Sequence, residues 1–186
     1  MVVTEDWPPF NYEKDGQIAG FATEIVRKTL EKSKLNVSFK IYPWARAYQM
    51  ALEDKNILIY TISRNKEREN HFKWIGPFAD RSIFLYKLSL RQDISIESLE
   101  DVKKYKTGLM RKDATHQFFM DKGFLRYTHF EITSKEDHNI KKLLKGRIDL
   151  IAGNEIALAY KYRELGFNFN MIGKVFPLIE SGGYWP

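Results

Sequence analysis

Residues 57–86 read ILIYTISRNKERENHFKWIGPFADRSIFLY, and this stretch restricts the possible folds more than any other part of the chain. Its opening run, Ile57 to Ile62, is continuously β-branched, aliphatic or aromatic and too short for an ordinary helix, so it reads as a strand buried on both faces. That core strand ends at Ser63. Ser63, Arg64, Asn65 and Arg68 follow directly, where open α/β sheets place their ligand crevice, outside the carboxyl ends of parallel strands. Beyond them, residues 71–88 are rich in aromatic and β-branched side chains with a Gly76-Pro77 break, and read as a long strand leaving this sheet. Arg91-Gln92-Asp93 marks a boundary.

The rest of the chain alternates in the same way. Residues 1–4 begin a strand, which Trp7-Pro8-Pro9-Phe10 breaks because neither proline donates to a ladder. Residues 14–17 form a turn, and residues 21–32 are helical, with Phe21, Ile25, Val26, Thr29 and Leu30 as the apolar positions. A strand over 37–42 completes a βαβ unit and implies a parallel sheet. Residues 44–54 return to helical spacing, with Ala47, Tyr48, Ala51 and Leu52 on one side. After the boundary come a helix over 98–104, a strand over 106–111, a helix over 114–122 capped by Asp113 and a strand over 127–132. Ser134 reads as the cap of a helix that runs to 145 and stops at Gly146. A buried strand over 148–152, a helix over 155–165 capped by Asn154, and a strand over 171–175 follow. The expectation is an α/β protein of two lobes, residues 1–88 and 89–186, with a crevice between them.

Composition removes several classes of function. The chain has 186 residues, of which 44% are hydrophobic, an ordinary value for a globular protein. No run approaches the roughly 18 apolar residues of a membrane span, and the first residues lack the basic start and apolar stretch of a secretory signal. If the protein is exported, its signal has been removed. The absence of cysteine excludes disulfides and thiolate metal sites, and fits either the cytosol or a bacterial periplasm. The formal charge of +6 is spread evenly on both sides of Leu88. With no basic tail, zinc-finger spacing or aromatic-glycine RNA signature, nucleic acid is not the expected partner.

The polar residues at strand ends are the candidates for chemistry. Arg68 leads, because a guanidinium presents a planar fork that matches a carboxylate in two parallel hydrogen bonds; pairing with Glu67 or Glu69 on the surface is the alternative. Ser63 and Asn65 offer a hydroxyl and an amide to the same ligand group, and Arg64 is either a second clamp or solvated. Trp7 and Trp44, at strand-to-loop ends beside prolines, are candidate ligand walls, while Phe10 reads as core. Arg46 faces the same opening or else is a solvated helical arginine. In the second lobe Asp113, Ala114 and Thr115 open a helix whose free amides make an anion site. His71, His116, His129 and His138 are scattered, with no HExxH, nucleophile elbow or phosphate loop, so neither catalysis nor a cofactor is expected.

Glu67-Arg68 followed by Pro77-Phe78, Trp7-Pro8-Pro9-Phe10 with Gly16 and Gly20-Phe21, and residues 146–154, GRIDLIAGN, together resemble the bacterial extracellular solute-binding proteins of family 3. The resemblance covers essentially the whole chain. It implies a two-lobed, periplasmic-binding-protein-like (type II) fold, a periplasmic location, a small polar solute held through its carboxylate by Arg68, and delivery to the membrane permease of an ABC transporter. It also implies that the lobes close on the ligand by population shift. Two positions depart from the family pattern. Asp113 occupies a turn that is usually small and uncharged and receives the ligand carboxylate. Asn154 stands where amino-acid receptors carry an aspartate for the ligand ammonium. Both argue against an ordinary α-amino acid as the solute. In the family the chain continues past the second lobe and returns to the first. This one stops at Pro186, so the expectation is a fold lacking that C-terminal return, with apolar surface on the first lobe covered by homo-oligomerisation. The alternatives are the sensing domain of a signalling receptor and a small-molecule lyase or dehydratase on the same fold.

Overall fold

The computed structural model describes residues 1–80, 82–179 and 183–185. The chain divides into two compact units, Met1–Arg81 with Ser181–Pro186, and Ser82–Glu180.

In the first unit, strand β1 (Val2–Thr4) is followed by the hairpin β2 (Tyr12–Lys14) and β3 (Gln17–Ala19), helix α1 (Phe21–Lys32), β4 (Phe39–Ile41), helix α2 (Trp44–Glu53), and the short strands β5 (Leu58–Ile59), β6 (Ile62–Ser63) and β7 (Ala79–Asp80). β1 is central in a parallel sheet, Val2 lying opposite Phe39 of β4 and Leu58 of β5. Both crossovers carry a helix, as the sequence pattern requires. α1 starts where Gly20 takes φ 112, and a Cβ there would lie 2.3 Å from the Phe10 carbonyl oxygen, so only glycine allows the loop to press on the helix start.

α1 has the expected boundaries but a different phase. It buries Ala22, Thr23, Val26 and Leu30, while Phe21 and Ile25 stay 41% and 40% exposed and Thr29 faces solvent. The Thr23 hydroxyl lies 2.8 Å from the buried Tyr60 hydroxyl, a polar anchor that turns this face inward. Burial pushes the Tyr60 phenol up to about 12.

The run expected as one strand over 57–62 is instead two. Thr61 takes φ 65, in the left-handed region that ends a ladder, and its hydroxyl donates to Asn11 Oδ1 at 2.6 Å. β5 therefore stays on β1 while β6 enters a second sheet. All of Ile59, Tyr60, Thr61, Ile62 and Ser63 are buried, so the reading of a core segment stands although its continuity does not. The long strand expected over 71–88 likewise resolves into β7 and a separate strand after it, with residues 71–78 outside regular secondary structure and Arg81 outside the described residues.

The second unit contains β8 (Ile83–Leu88), α3 (Leu99–Val102), β9 (Thr107–Met110), α4 (Ala114–Asp121), β10 (Phe130–Thr133), α5 (Glu136–Leu144), β11 (Leu150–Gly153), α6 (Glu155–Glu164), a 3-10 turn (Phe169–Met171) and β12 (Ile172–Ile179). Its sheet has the order β10-β9-β11-β8-β12, with β10, β9 and β11 parallel and β8 antiparallel to both neighbours. Alternation along β8 and β11 sends Leu85 and Leu150 into a core with Leu109, Phe119 and Phe130, and Tyr86 and Ile151 into one with Ile140, Leu143 and Tyr162. The sheet is thus covered on both faces, which explains its continuous apolar strands. Because β8 is the second strand from the edge of this sheet, the first unit ends at Arg81 rather than at the expected residue 88. The expected Ser134 cap is also displaced: α5 begins at Glu136, with Lys135 as its boundary residue, no side-chain cap, and Ser134 exposed.

The last strand, β13 (Gly183–Trp185), belongs to the first unit. It runs antiparallel to both β6 and β7, with Tyr184 opposite Ser63 and Ala79, and Trp185 opposite Ile62. The C-terminal segment thus reaches the first unit as one short strand. Among the described residues no helix is long and apolar enough to cross a membrane.

Candidate functional site

In the first unit, the sequence candidates Ser63, Asn65, Arg68 and Trp44 meet at the end of β6. The turn after Ser63 is closed by the Asn65 side chain, whose Oδ1 accepts from the Arg68 amide at 3.0 Å, so Asn65 shapes the loop that presents the arginine. The Arg68 side chain is 3% exposed, and its Nη1 donates to the Ser63 carbonyl at 3.1 Å. Its guanidinium carbon lies 5.2 Å from the centre of the Trp44 ring and 4.9 Å from that of Tyr48. Those two rings stack at 5.6 Å because Trp44 and Tyr48 stand four residues apart on one face of α2. A guanidinium laid across two rings is oriented by cation–π attraction as well as by its hydrogen bond. The surface pairing of Arg68 with Glu67 or Glu69 is not what the structure contains.

Glu69 pairs instead with Arg64, whose Nε lies 2.8 Å from Glu69 Oε2. The Arg64 guanidinium also covers Trp74 at 5.5 Å and Trp185 at 4.8 Å, and Trp74 Nε1 donates to the Glu69 carbonyl at 3.1 Å. Arg64 is therefore neither simply solvated nor an open second clamp. The bond to Glu69 holds the Arg64 cation above its usual range and the carboxyl below its own.

Trp7 lies in another cluster. Its ring stacks on Phe10 at 4.2 Å with an interplanar angle of 9°, and meets Tyr184 edge-on at 5.0 Å. Phe10 is buried, as expected of a core residue. Adjacent residues of β13 thus serve two clusters, Tyr184 against Trp7 and Phe10, Trp185 against Trp74 and Arg64. Arg46 is exposed on α2, with its guanidinium 4.5 Å from the Tyr42 ring centre. Sequence reasoning missed Tyr48, Glu69, Trp74, Tyr184 and Trp185. Only Tyr48 carried a local signal, its spacing of four from Trp44.

In the second unit, Asp113 accepts a hydrogen bond from the Thr115 amide and caps α4, and Thr115 is buried. The Asn154 Oδ1 accepts from the amides of Ile156 at 3.0 Å and Ala157 at 3.2 Å, which commits it to capping α6. Its Nδ2 donates to the Ser82 carbonyl at 3.4 Å. Close to Asp113, burial pushes the Glu136 carboxyl up to about 8, with the Asp113 and Asp137 charges adding to the effect. Among the described residues no group of His, Asp and Glu side chains is placed to hold a metal ion.

A sequence profile of the bacterial extracellular solute-binding proteins, family 3, matches residues 1–123. A probable amino-acid ABC transporter-binding protein of Haemophilus influenzae is 30% identical over 112 residues, 58% of this chain and 42% of that protein. The chain therefore aligns with less than half the length of this curated relative. Among solved structures, an ancestral arginine-binding protein bound to arginine is similar with a TM-score of 0.79 and 18% identity, over 99% of this chain and 81% of its own. A histidine kinase sensor domain with similarity to periplasmic binding proteins gives a TM-score of 0.85 and 20% identity, over 100% and 80%. At such identities these likenesses show the fold, which is that of the periplasmic binding proteins. The profile match over well more than half of the residues shows the family: the chain belongs to the bacterial extracellular solute-binding proteins, family 3.

Proposed function

We propose that the protein is an extracytoplasmic, periplasmic solute-binding protein that holds a small carboxylate-bearing solute at Arg68 and delivers it to the membrane permease of an ABC transporter. The observation that carries this reading is the Arg68 guanidinium, buried and laid across Trp44 and Tyr48 at the carboxyl end of β6. Its orientation is set in advance, so a carboxylate docking on the fork has less side-chain freedom to remove. Trp44 and Tyr48 add flat apolar surface beside the charge, the combination of a few placed polar groups and aromatic walls that small-molecule sites use. Asn154 brings no charge, and the Asp113 carboxylate is engaged at the start of α4. An unpaired ammonium taken out of water is costly, so the reading favours an organic or cyclic acid over a zwitterionic α-amino acid. Binding then selects the ligand-competent population. The family and the neighbouring structures are binding proteins, and the proposed role requires no cofactor. The likeness to a kinase sensor domain supports a second use of the same site, in which occupancy is signalled rather than transported.

A thermal-shift panel tests this. Short carboxylic acids, cyclic acids and the common amino acids, arginine and glutamine included, are compared on the wild type and on Arg68→Ala. The expected result is a concentration-dependent rise in melting temperature with a carboxylic acid that Arg68→Ala abolishes. A response to neutral solutes only, or one that survives in Arg68→Ala, would reject the carboxylate role.

A further inference from the structure

The second unit carries a cleft of about 430 Å³ alongside α5 that the solute reading does not use. Arg111, His138, Lys141, Lys142, Lys145 and Arg147 line it, and no Asp or Glu does. Arg68, Asp113, Thr115 and Asn154 are not among its lining residues. The lining residues come from three places in the fold: Arg111 just past β9, His138, Lys141 and Lys142 on α5 with Lys145 at its C-terminal boundary, and Arg147 in the turn ahead of β11. The backbone fixes this convergence, because the Arg111 amide donates to the Thr133 carbonyl at 2.9 Å and the Arg147 amide to the Lys142 carbonyl at 2.9 Å.

The arrangement is electrostatically unbalanced. Lys142 pairs with Glu131 at 2.7 Å. Among the described residues Arg111, Lys141, Lys145 and Arg147 have no carboxylate partner. Lys141 and Lys142 of α5 stand four and three residues before Lys145 at its C-terminal boundary, the spacing at which like charges repel on a helix surface. A concave surface lined by one sign of charge also concentrates the field and raises the local concentration of counter-ions. An anion bound there relieves repulsion that the fold otherwise bears. The volume exceeds what one phosphate fills and falls within the range of small-molecule sites.

We propose that this cleft is a second ligand site, separate from Arg68, for a small polyanion bearing two or more phosphate groups. Lysine ammonium groups and arginine forks are the donors that phosphate oxygens take in charge-assisted hydrogen bonds, and Ser134 adds a hydroxyl at the rim. The phosphates come either from a free polyphosphorylated solute or from the headgroup of a diphosphate lipid.

The test uses the full chain and Lys141→Gln/Lys145→Gln, two exposed positions whose substitution leaves the core untouched. Inorganic tripolyphosphate is titrated calorimetrically, with sulfate at matched ionic strength as control. Vesicles of phosphatidylcholine, with and without cardiolipin, are tested by co-sedimentation. The proposal expects binding to tripolyphosphate, to the cardiolipin vesicles or to both, weakened by about tenfold or more in the double variant, with sulfate much weaker. Tripolyphosphate binding alone identifies a soluble ligand, and vesicle binding alone identifies a lipid headgroup. Failure of both probes at millimolar concentration, or equal binding by the variant and the wild type, overturns it. The melting response to carboxylic acids is read in the same samples. It depends on Arg68 and not on these lysines, so loss of one reading leaves the other standing.

Discussion

The guanidinium carbon of Arg68 lies 5.2 Å from the centre of the Trp44 ring, and Tyr48, one helical turn further on, supports it from 4.9 Å. A residue just past β6 and two residues of α2 are thereby joined into one surface, in which the backbone carbonyl of Ser63 also takes part. The charge is held by the fold before any ligand arrives.

Removing that charge has a specific expected consequence. Arg68→Ala should weaken binding of the responsive carboxylic acid by roughly 2–5 kcal/mol, the cost of deleting one partner of a desolvated charge pair. Arg68→Lys should recover little, because an ammonium lacks the planar fork and the broad face that rests on the two rings. Isothermal titration of both variants checks this, and an affinity for Arg68→Ala within threefold of wild type would contradict it.

The return strand should contribute to the stability of the first unit. Tyr184 is 3% exposed and its ring touches Trp7 and Phe10. Tyr184→Ala should therefore cost on the order of 3 kcal/mol, in the range for emptying a buried aromatic site. Urea unfolding followed by tryptophan fluorescence gives the value, with Trp7 as a local reporter. An unchanged midpoint would mean that β13 is not packed on β6 in solution.

Glu136 should make stability depend on pH. Its carboxyl is raised from 4.5 to about 8, first by burial and then by the nearby Asp113 and Asp137 carboxylates. Between those values the folded protein keeps a proton that the unfolded chain has released. The associated stability is full below pH 4.5 and is lost as pH rises through about 8. Glu136→Gln removes this titration, so the variant should be more stable than wild type at pH 8, by on the order of 1 kcal/mol, with the difference shrinking toward pH 4.5. Denaturant unfolding at pH 4.5, 6 and 8 measures the slope, and parallel curves for the two proteins would remove the claim.

Much of the local structure was legible without coordinates. The period of the apolar residues and the cap chemistry of Asp113 and Asn154 placed α1, α2, α4 and α6 within a residue or so of where they lie, because a helix closes its hydrogen bonds within its own segment. The alternation of strands and helices specified the parallel pairing of β4, β1 and β5 and of β10, β9 and β11, because a helical crossover returns the chain in the same direction. The candidate group at Arg68 was legible from its place after a buried strand, which the break at Thr61 shortened but did not move.

Other features depend on partners distant in sequence. Thr61 takes a left-handed conformation that a β-branched residue rarely adopts, held by a hydrogen bond to Asn11, fifty residues away. The inward face of α1 was settled by the contact of Thr23 with Tyr60, which outweighs the apolar pattern that favours Phe21 and Ile25. Asp113 could be placed at a cap from its neighbours alone, but its electrostatic coupling to Glu136 depends on the sheet bringing the starts of α4 and α5 together. β13 pairs with β6 and β7 across more than a hundred intervening residues, so no local pattern announced that Tyr184 and Trp185 would join the clusters of Trp7 and Arg64. A strand finds its hydrogen-bond partner only in the assembled sheet, and an aromatic side chain finds its neighbours only in the packed core. Elements and candidates were therefore readable from local pattern, and long-range pairing set which of those candidates meet.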